Sequence, residues 1–244
     1  MNRCIVALLY VFDVVDDDRI GDAGEMIDLW CRHVREIGNH SGDIRLITNQ
    51  PDVTPAGIEP IAPPRECRSV ADVQTLKAET LCAQELGKYD SVLYLDLDIL
   101  AVSDISSLFA GAERFRVGRS SIPLFDRRHA GYFMSPLGRR FRQWFVTNGK
   151  AAANTCAVSY QPKFADQSVR CYTRTLKQAY HHCDVFPLGD QTIFNWGLYR
   201  DMFDVDYYPS EWIQHSNWHM TEDVKLWHFP TANRLQIMKQ RSLI

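Results

Sequence analysis

The chain has 244 residues, 45% of them apolar and 23% charged, with a formal net charge of −3. That length and apolar content suit one large α/β domain with a substantial core and exclude a disordered chain. Lysine and arginine gather only in the short Arg127-Arg128 and Arg139-Arg140 pairs, which excludes a nucleic-acid footprint. The seven cysteines form no Cys-x-x-Cys pair and are odd in number, so a disulfide framework or a zinc cluster is not expected. They read as reduced and mostly buried, which points to a cytoplasmic protein, either free or peripheral to a membrane.

Cys4 to Phe12 (CIVALLYVF) predicts a buried first strand. It runs straight into Asp13 and Asp16-Asp17-Asp18 with no small-residue cleavage site, so it is not read as a secretory signal. No run is long enough to cross a membrane. The charged loop at Asp16 to Asp18 gives way to a capping box at Asp22-Ala23-Gly24-Glu25 and a helix that carries Met26, Ile27, Leu29, Trp30, Val34 and Ile37 on one face and stops at Gly38. Asp43 to Thr48 (DIRLIT) gives a second strand, and a helix is expected over Val70 to Leu86, ended by Gly87. Strand, helix, strand means a parallel crossover.

The next stretch, SVLYLDLDILAVSDISSLF, carries the chemistry. Val92 to Leu95 is apolar on both faces, as a strand buried in a parallel sheet is. Asp96 and Asp98 follow, two residues apart; on extended chain both carboxylates point the same way. Ligands of open α/β sheets bind at the carboxyl ends of strands, and paired hard oxygens suit Mg²⁺ or Mn²⁺, which can in turn hold a diphosphate. The first strand ends on that edge, so Tyr10 and Asp13 are expected to line the nucleotide site. A short helix is expected over Ile105 to Phe109, a strand at Phe115 to Gly118, an Ala/Asn-rich link over Gly149 to Ser159, and helices at Leu137 to Val146 and Gln167 to Tyr180. Asp190-Gln191 opens a helix through Leu198. Trp212, His215, Trp218 and His219 read either as a sugar-stacking acceptor platform or as ordinary core aromatics. Val224 to Phe229 ends the ordered pattern.

Asp96-Leu97-Asp98, the apolar Ile99-Leu100 and Asp104-Ile105 before a short helix resemble the core motif of GT-A nucleotide-sugar glycosyltransferases, especially the retaining glycogenin and lipopolysaccharide galactosyltransferase family (family eight). Three further segments fall in that family's order. His129-Ala130-Gly131-Tyr132 resembles its strand beside the donor sugar, Asp190-Gln191-Thr192-Ile193-Phe194-Asn195 its Asp-Gln helix start, and Leu226-Trp227-His228-Phe229 its C-terminal apolar-x-His-Phe.

The resemblance implies a Rossmann-like, mostly parallel central sheet flanked by helices, in one domain. Residues 1–110 would form its nucleotide-binding half and 111–244 its donor-sugar and acceptor half. It implies Asp96, Asp98 and His228 as ligands of Mn²⁺ (or Mg²⁺), with imidazole favouring manganese. Tyr10, Asp13, Lys77, Leu97, His129 and Gly131 would bind the donor, and Asp190 and Gln191 would face the transferring sugar. The implied reaction moves a hexose, with retention, from a nucleoside-diphosphate sugar (UDP-galactose or UDP-glucose) to a glycan or another hydroxyl acceptor. Two departures stand out: His129 replaces an asparagine, and Thr231-Ala232-Asn233-Arg234 replaces a Lys-Pro-Trp, leaving Arg234 to meet the donor pyrophosphate. A nucleotidyltransferase or phosphohydrolase on a related sheet would also use paired carboxylates, but Phe12 to Ile20 holds no glycine-rich phosphate loop. A non-catalytic nucleotide-sugar-binding protein is the other alternative.

Overall fold

The computed structural model describes residues 1–11, 17–68, 70–81, 83–109, 114–119, 143, 147–148, 152–163, 191, 194–195, 198, 205–215, 221–230 and 233–242. Its frame is a seven-stranded sheet built from β1 (Arg3–Leu9), β2 (Asp43–Thr48), β3 (Glu59–Ile61), β4 (Ser91–Leu95), β6 (Phe115–Arg119), β7 (Ala153–Tyr160) and β8 (Val205–Tyr207). The order is β3-β2-β1-β4-β7-β6-β8. The first four of these run parallel, β7 is antiparallel to β4 and β6, and β8 is parallel to β6. A smaller three-stranded sheet, β5 (Ile99–Ala101), β10 (Leu226–His228) and β9 (Ile213–His215), stands beside it.

The parallel half follows from its sequence. β1 carries Cys4, Ile5, Val6 and Ala7 at 0% exposure, and β4 is buried throughout. Strands with no polar face need cover on both sides, which the helices between them supply. Helix α1 (Asp17–Arg32) lays Met26, Ile27 and Trp30 on one face of the sheet, and α2 (Val70–Thr80) places Leu76 in the core.

Several boundaries differ from the sequence reading. α1 begins at Asp17, so the expected charged loop is partly helix and Asp22 sits inside it rather than at its cap. The helix then widens into a π-turn at His33–Ile37, where His33 Nδ1 meets Ala101 O at 2.9 Å. α2 stops at Thr80, and the rest of the expected helix is a separate 3₁₀ segment, Gln84–Lys88. The expected link at 149–159 is mostly β7, all eight of whose residues are buried. Its small side chains let it lie between β4 and β6, and smallness alone made it look like a connection. Order does not end at Phe229: α3 (Arg234–Arg241) follows, with Met238 fully buried. Among the described residues Cys4, Cys31, Cys67 and Cys156 are free, and all but Cys31 are buried.

Candidate metal centre

Asp96-Leu97-Asp98 lies where the chain leaves one sheet for the other. Asp96 N donates to Cys156 O at 2.9 Å, the last rung between β4 and β7. The chain then turns at Leu97 and Asp98 instead of continuing extended as expected. Asp98 O accepts from Phe229 N at 2.8 Å, which anchors the turn to the end of β10. Leu97 is 6% exposed and packs in the core, so its side chain is the pin of the turn and only its backbone is left for a ligand.

β10 pairs with β5 in antiparallel register, His228 opposite Ile99, and that pairing sets the imidazole beside Asp98. One ligand atom from each of Asp96, Asp98 and His228 lies within 4.8 Å of the others. His228 Nε2 is 3.4 Å from Asp98 Oδ1, an oxygen that is fully buried and receives no well-formed hydrogen bond. A buried carboxylate oxygen left this way is costly unless a cation takes it, so the donor set fits a divalent ion. Burial pushes the Asp98 carboxyl up, but His228, Arg234 and Lys77 together outweigh it and hold it below the usual carboxylate range. Burial opposes charge on His228 too, yet the adjacent Cys156 and Asp98 raise it well above an ordinary imidazole.

Lys77, on α2, is largely buried. Its Nζ donates to Asp96 Oδ1 and Oδ2 at 2.9 and 3.3 Å and lies 4.7 Å over the Tyr94 ring. Tyr94 Oη also donates to Asp96 Oδ1, at 2.9 Å. Tyr94 lies on β4 and Asp96 just past its end, two residues on, a spacing by which the sequence could have signalled this contact. Arg234, the first residue of α3, points Nη1 at Asp98 Oδ2, 3.6 Å away. It also lines a cleft of about 850 Å³ with Tyr10, Val11, Asp22, Met26 and Gln236. Tyr10 is locked there, accepting from Cys67 N at 2.8 Å and donating to Cys67 O at 3.2 Å.

Gln191 reaches the same edge of the sheet through Asn195, which sequence reading placed in a motif without a role. Asn195 is 0% exposed; its Oδ1 accepts from Ala153 N at 2.8 Å, and its Nδ2 donates to Ala153 O at 3.0 Å and Gln191 O at 2.8 Å. Because β7 runs antiparallel to β4, Ala153 lies beyond the carboxyl end of β4, on the side of Asp96. Trp212 takes no part here. It sits at the far end of β9 from His215, the residue opposite His228, and packs with Tyr208, Arg116 and Lys225. Asp13, His129, Gly131 and Asp190 lie outside the described residues, as do Trp218, His219 and the side chain of His215.

No protein-family model matches the sequence, and no curated protein does. Solved structures do. The galactosyltransferase LgtC in complex with donor and acceptor sugar analogues superimposes with a TM-score of 0.61 over 97% of this chain and 95% of its own, at 15% identity. The chain has the GT-A fold. An active-site glutamine-to-glutamate variant of LgtC matches likewise, with a TM-score of 0.60 over 98% of this chain and 95% of that one, at 15% identity. In GT-A terms, the central sheet found here is the mostly parallel one expected, and the acidic turn stands at the carboxyl edge of its fourth strand.

Proposed function

We propose that the protein is a metal-dependent glycosyltransferase that moves a hexose, with retention, from a nucleoside-diphosphate sugar to a glycan or another hydroxyl acceptor. The observation that carries this is the convergence of Asp96, Asp98 and His228, from two sheets, beside a cleft of about 850 Å³ in a GT-A fold. LgtC, a solved enzyme with a similar fold, is a galactosyltransferase seen with donor and acceptor sugar analogues, so UDP-galactose or UDP-glucose is the proposed donor. In this reading 1–244 is one domain, with 1–110 holding the nucleotide and 111–244 the donor sugar and acceptor. Free cysteines and the lack of a membrane-spanning helix among the described residues fit a cytoplasmic site of action.

Asp96, Asp98 and His228 would hold Mn²⁺ or Mg²⁺, which when bound supplies Lewis-acid neutralisation of charge on the departing diphosphate. Tyr10, fixed against Cys67, is assigned to the nucleoside end of the cleft, and Asp13, His129 and Gly131 are proposed as further donor-binding residues. Lys77 holds Asp96 in place. Asp190 grips donor-sugar hydroxyls. LgtC has an active-site glutamine, and Gln191 is its proposed counterpart, set on the face of the anomeric carbon. An amide is a poor nucleophile, so substitution occurs on one face. The bond from the anomeric carbon to the β-phosphate oxygen breaks, the acceptor oxygen bonds to the same face, and its proton passes to that phosphate oxygen.

The test is release of uridine diphosphate from UDP-galactose and UDP-glucose, with and without EDTA, then with Mn²⁺ restored. Turnover that EDTA abolishes and Mn²⁺ recovers is expected. Turnover indifferent to EDTA, or none with any nucleotide sugar, rejects the assignment.

A further inference from the structure

Each carboxylate of the acidic turn already has a cation that is not a candidate metal ligand, Lys77 on Asp96 and Arg234 on Asp98, and His228, 3.4 Å from Asp98, would be neutral once it held a metal. The two cations are held very differently. The Lys77 side chain is 9% exposed, bonds both Asp96 oxygens and stacks on Tyr94. Arg234 is 50% exposed and meets Asp98 by one 3.6 Å approach, too long for a hydrogen bond. It sits at the start of a helix and forms part of the cleft wall, so its guanidinium has open room beside it.

A divalent ion bound by Asp98 would face the Arg234 charge within a few ångströms and repel it. With Lys77 and Arg234 cancelling Asp96 and Asp98, the added ion also leaves the site with two surplus positive charges. A diphosphate supplies the opposite charge, and a guanidinium fork matches its oxygens in a two-pronged contact.

We propose that Arg234 is an exchanging cation: it pairs with Asp98 until a divalent ion takes that carboxylate, then moves to the diphosphate, so that metal and diphosphate bind as a coupled pair. This rests on the function proposed above and adds to it the order of events at the site. Arg234 competes with the metal and assists the anion. Its removal therefore acts on the two ligands with opposite sign. A purely structural arginine would weaken both.

The experiment uses the full chain, native and with Arg234→Met or Arg234→Lys. Mn²⁺ alone is titrated by the paramagnetic resonance of free ion, and inorganic pyrophosphate and uridine diphosphate by calorimetry at saturating Mn²⁺. Pyrophosphate isolates the anion contact from the nucleoside. In Arg234→Met, Mn²⁺ alone should bind about threefold tighter or more, as befits the loss of an exposed competing charge. Pyrophosphate with Mn²⁺ should bind about tenfold weaker or more. Arg234→Lys should fall between native and Met on both axes, and in the native protein Mn²⁺ and uridine diphosphate should raise each other's affinity by the same factor. Weaker or unchanged Mn²⁺ binding in Arg234→Met overturns the exchange, as does unchanged pyrophosphate binding. A native protein that binds neither anion with Mn²⁺ overturns the transferase reading and the exchange together, whereas native binding with an unresponsive variant removes only the exchange.

Discussion

Lys77 Nζ and Tyr94 Oη both donate to Asp96 Oδ1, each at 2.9 Å, so one carboxylate oxygen is fixed from a helix and from its own strand. Lys77→Met keeps the length of the side chain and removes the charge. The loss should be about 1–3 kcal/mol, as for a hydrogen bond to an ionised group. Tyr94→Phe should cost about 1 kcal/mol. Because both act on one oxygen, the double variant should depart from the sum of the two losses, and urea unfolding of all four proteins measures this. Strict additivity would mean that the two contacts work independently.

Asn195 ties Gln191 to the first residue of β7 with three hydrogen bonds inside the core. Asn195→Asp keeps the shape but turns a carboxylate toward the carbonyls of Ala153 and Gln191. That leaves unpaired buried acceptors and should cost about 2–4 kcal/mol. If the clamp sets Gln191, the turnover number should fall further than the donor KM rises, since binding groups elsewhere are untouched. A variant that loses stability but keeps its turnover number would give Asn195 a folding role alone.

How far the site could be read from sequence depended on distance along the chain. β4 and the acids after it lie within one short stretch whose apolar pattern is unbroken, and β2 is legible to the residue although Arg45 interrupts its apolar run. His228 came from resemblance; the register of β10 on β5 that puts it beside Asp98 joins residues over a hundred positions apart. β7 reads as a link because Ala153-Asn154-Thr155-Cys156-Ala157 has no large apolar side chain. What makes it a central strand is the narrow space between two neighbours that sequence cannot show. α3 is hard to read from sequence because only Leu235, Ile237 and Met238 are apolar among glutamine, lysine and arginine. The turn at Leu97-Asp98 is likewise set by a distant group, Phe229 N.

Asp104, inside the segment that resembles the family motif, has a structural role. Its Oδ1 accepts from Ser106 N at 2.7 Å, and its Oδ2 from Asn39 Nδ2 at 3.2 Å, at the entry to the 3₁₀ turn Ser106–Leu108. The Ser106 hydroxyl and amide, then Asn39, lower its carboxyl from 3.8 to about 2. A depressed folded-state value contributes stability above the unfolded value, and the contribution is lost as pH falls from near 4 toward 2. Asp104→Ala should therefore lower stability by roughly 0.5–1 kcal/mol at pH 7, the usual worth of an exposed cap. The gap in Tm should close as pH approaches 2. A gap that persists at pH 2 would mean that the contribution does not depend on the charge.

Asp98 is the member of the metal set with most to lose. Its side chain is 13% exposed and its Oδ1 is buried without a proper donor, so it presents a desolvated charge to any cation beside it. Asp98→Asn keeps the size and removes that charge. At about 4 Å and an effective dielectric near 20, one elementary charge is worth roughly 4 kcal/mol, or about a thousandfold in affinity. His228→Ala removes a neutral ligand from the set and should cost less. Trp212→Ala, at the far end of β9, should leave Mn²⁺ affinity within about twofold. Titrating Mn²⁺ in the presence of uridine diphosphate ranks the three. The order Asp98, His228, Trp212 is required by this geometry, and an Asp98→Asn protein that still binds the ion like the native one would move the cation to other ligands.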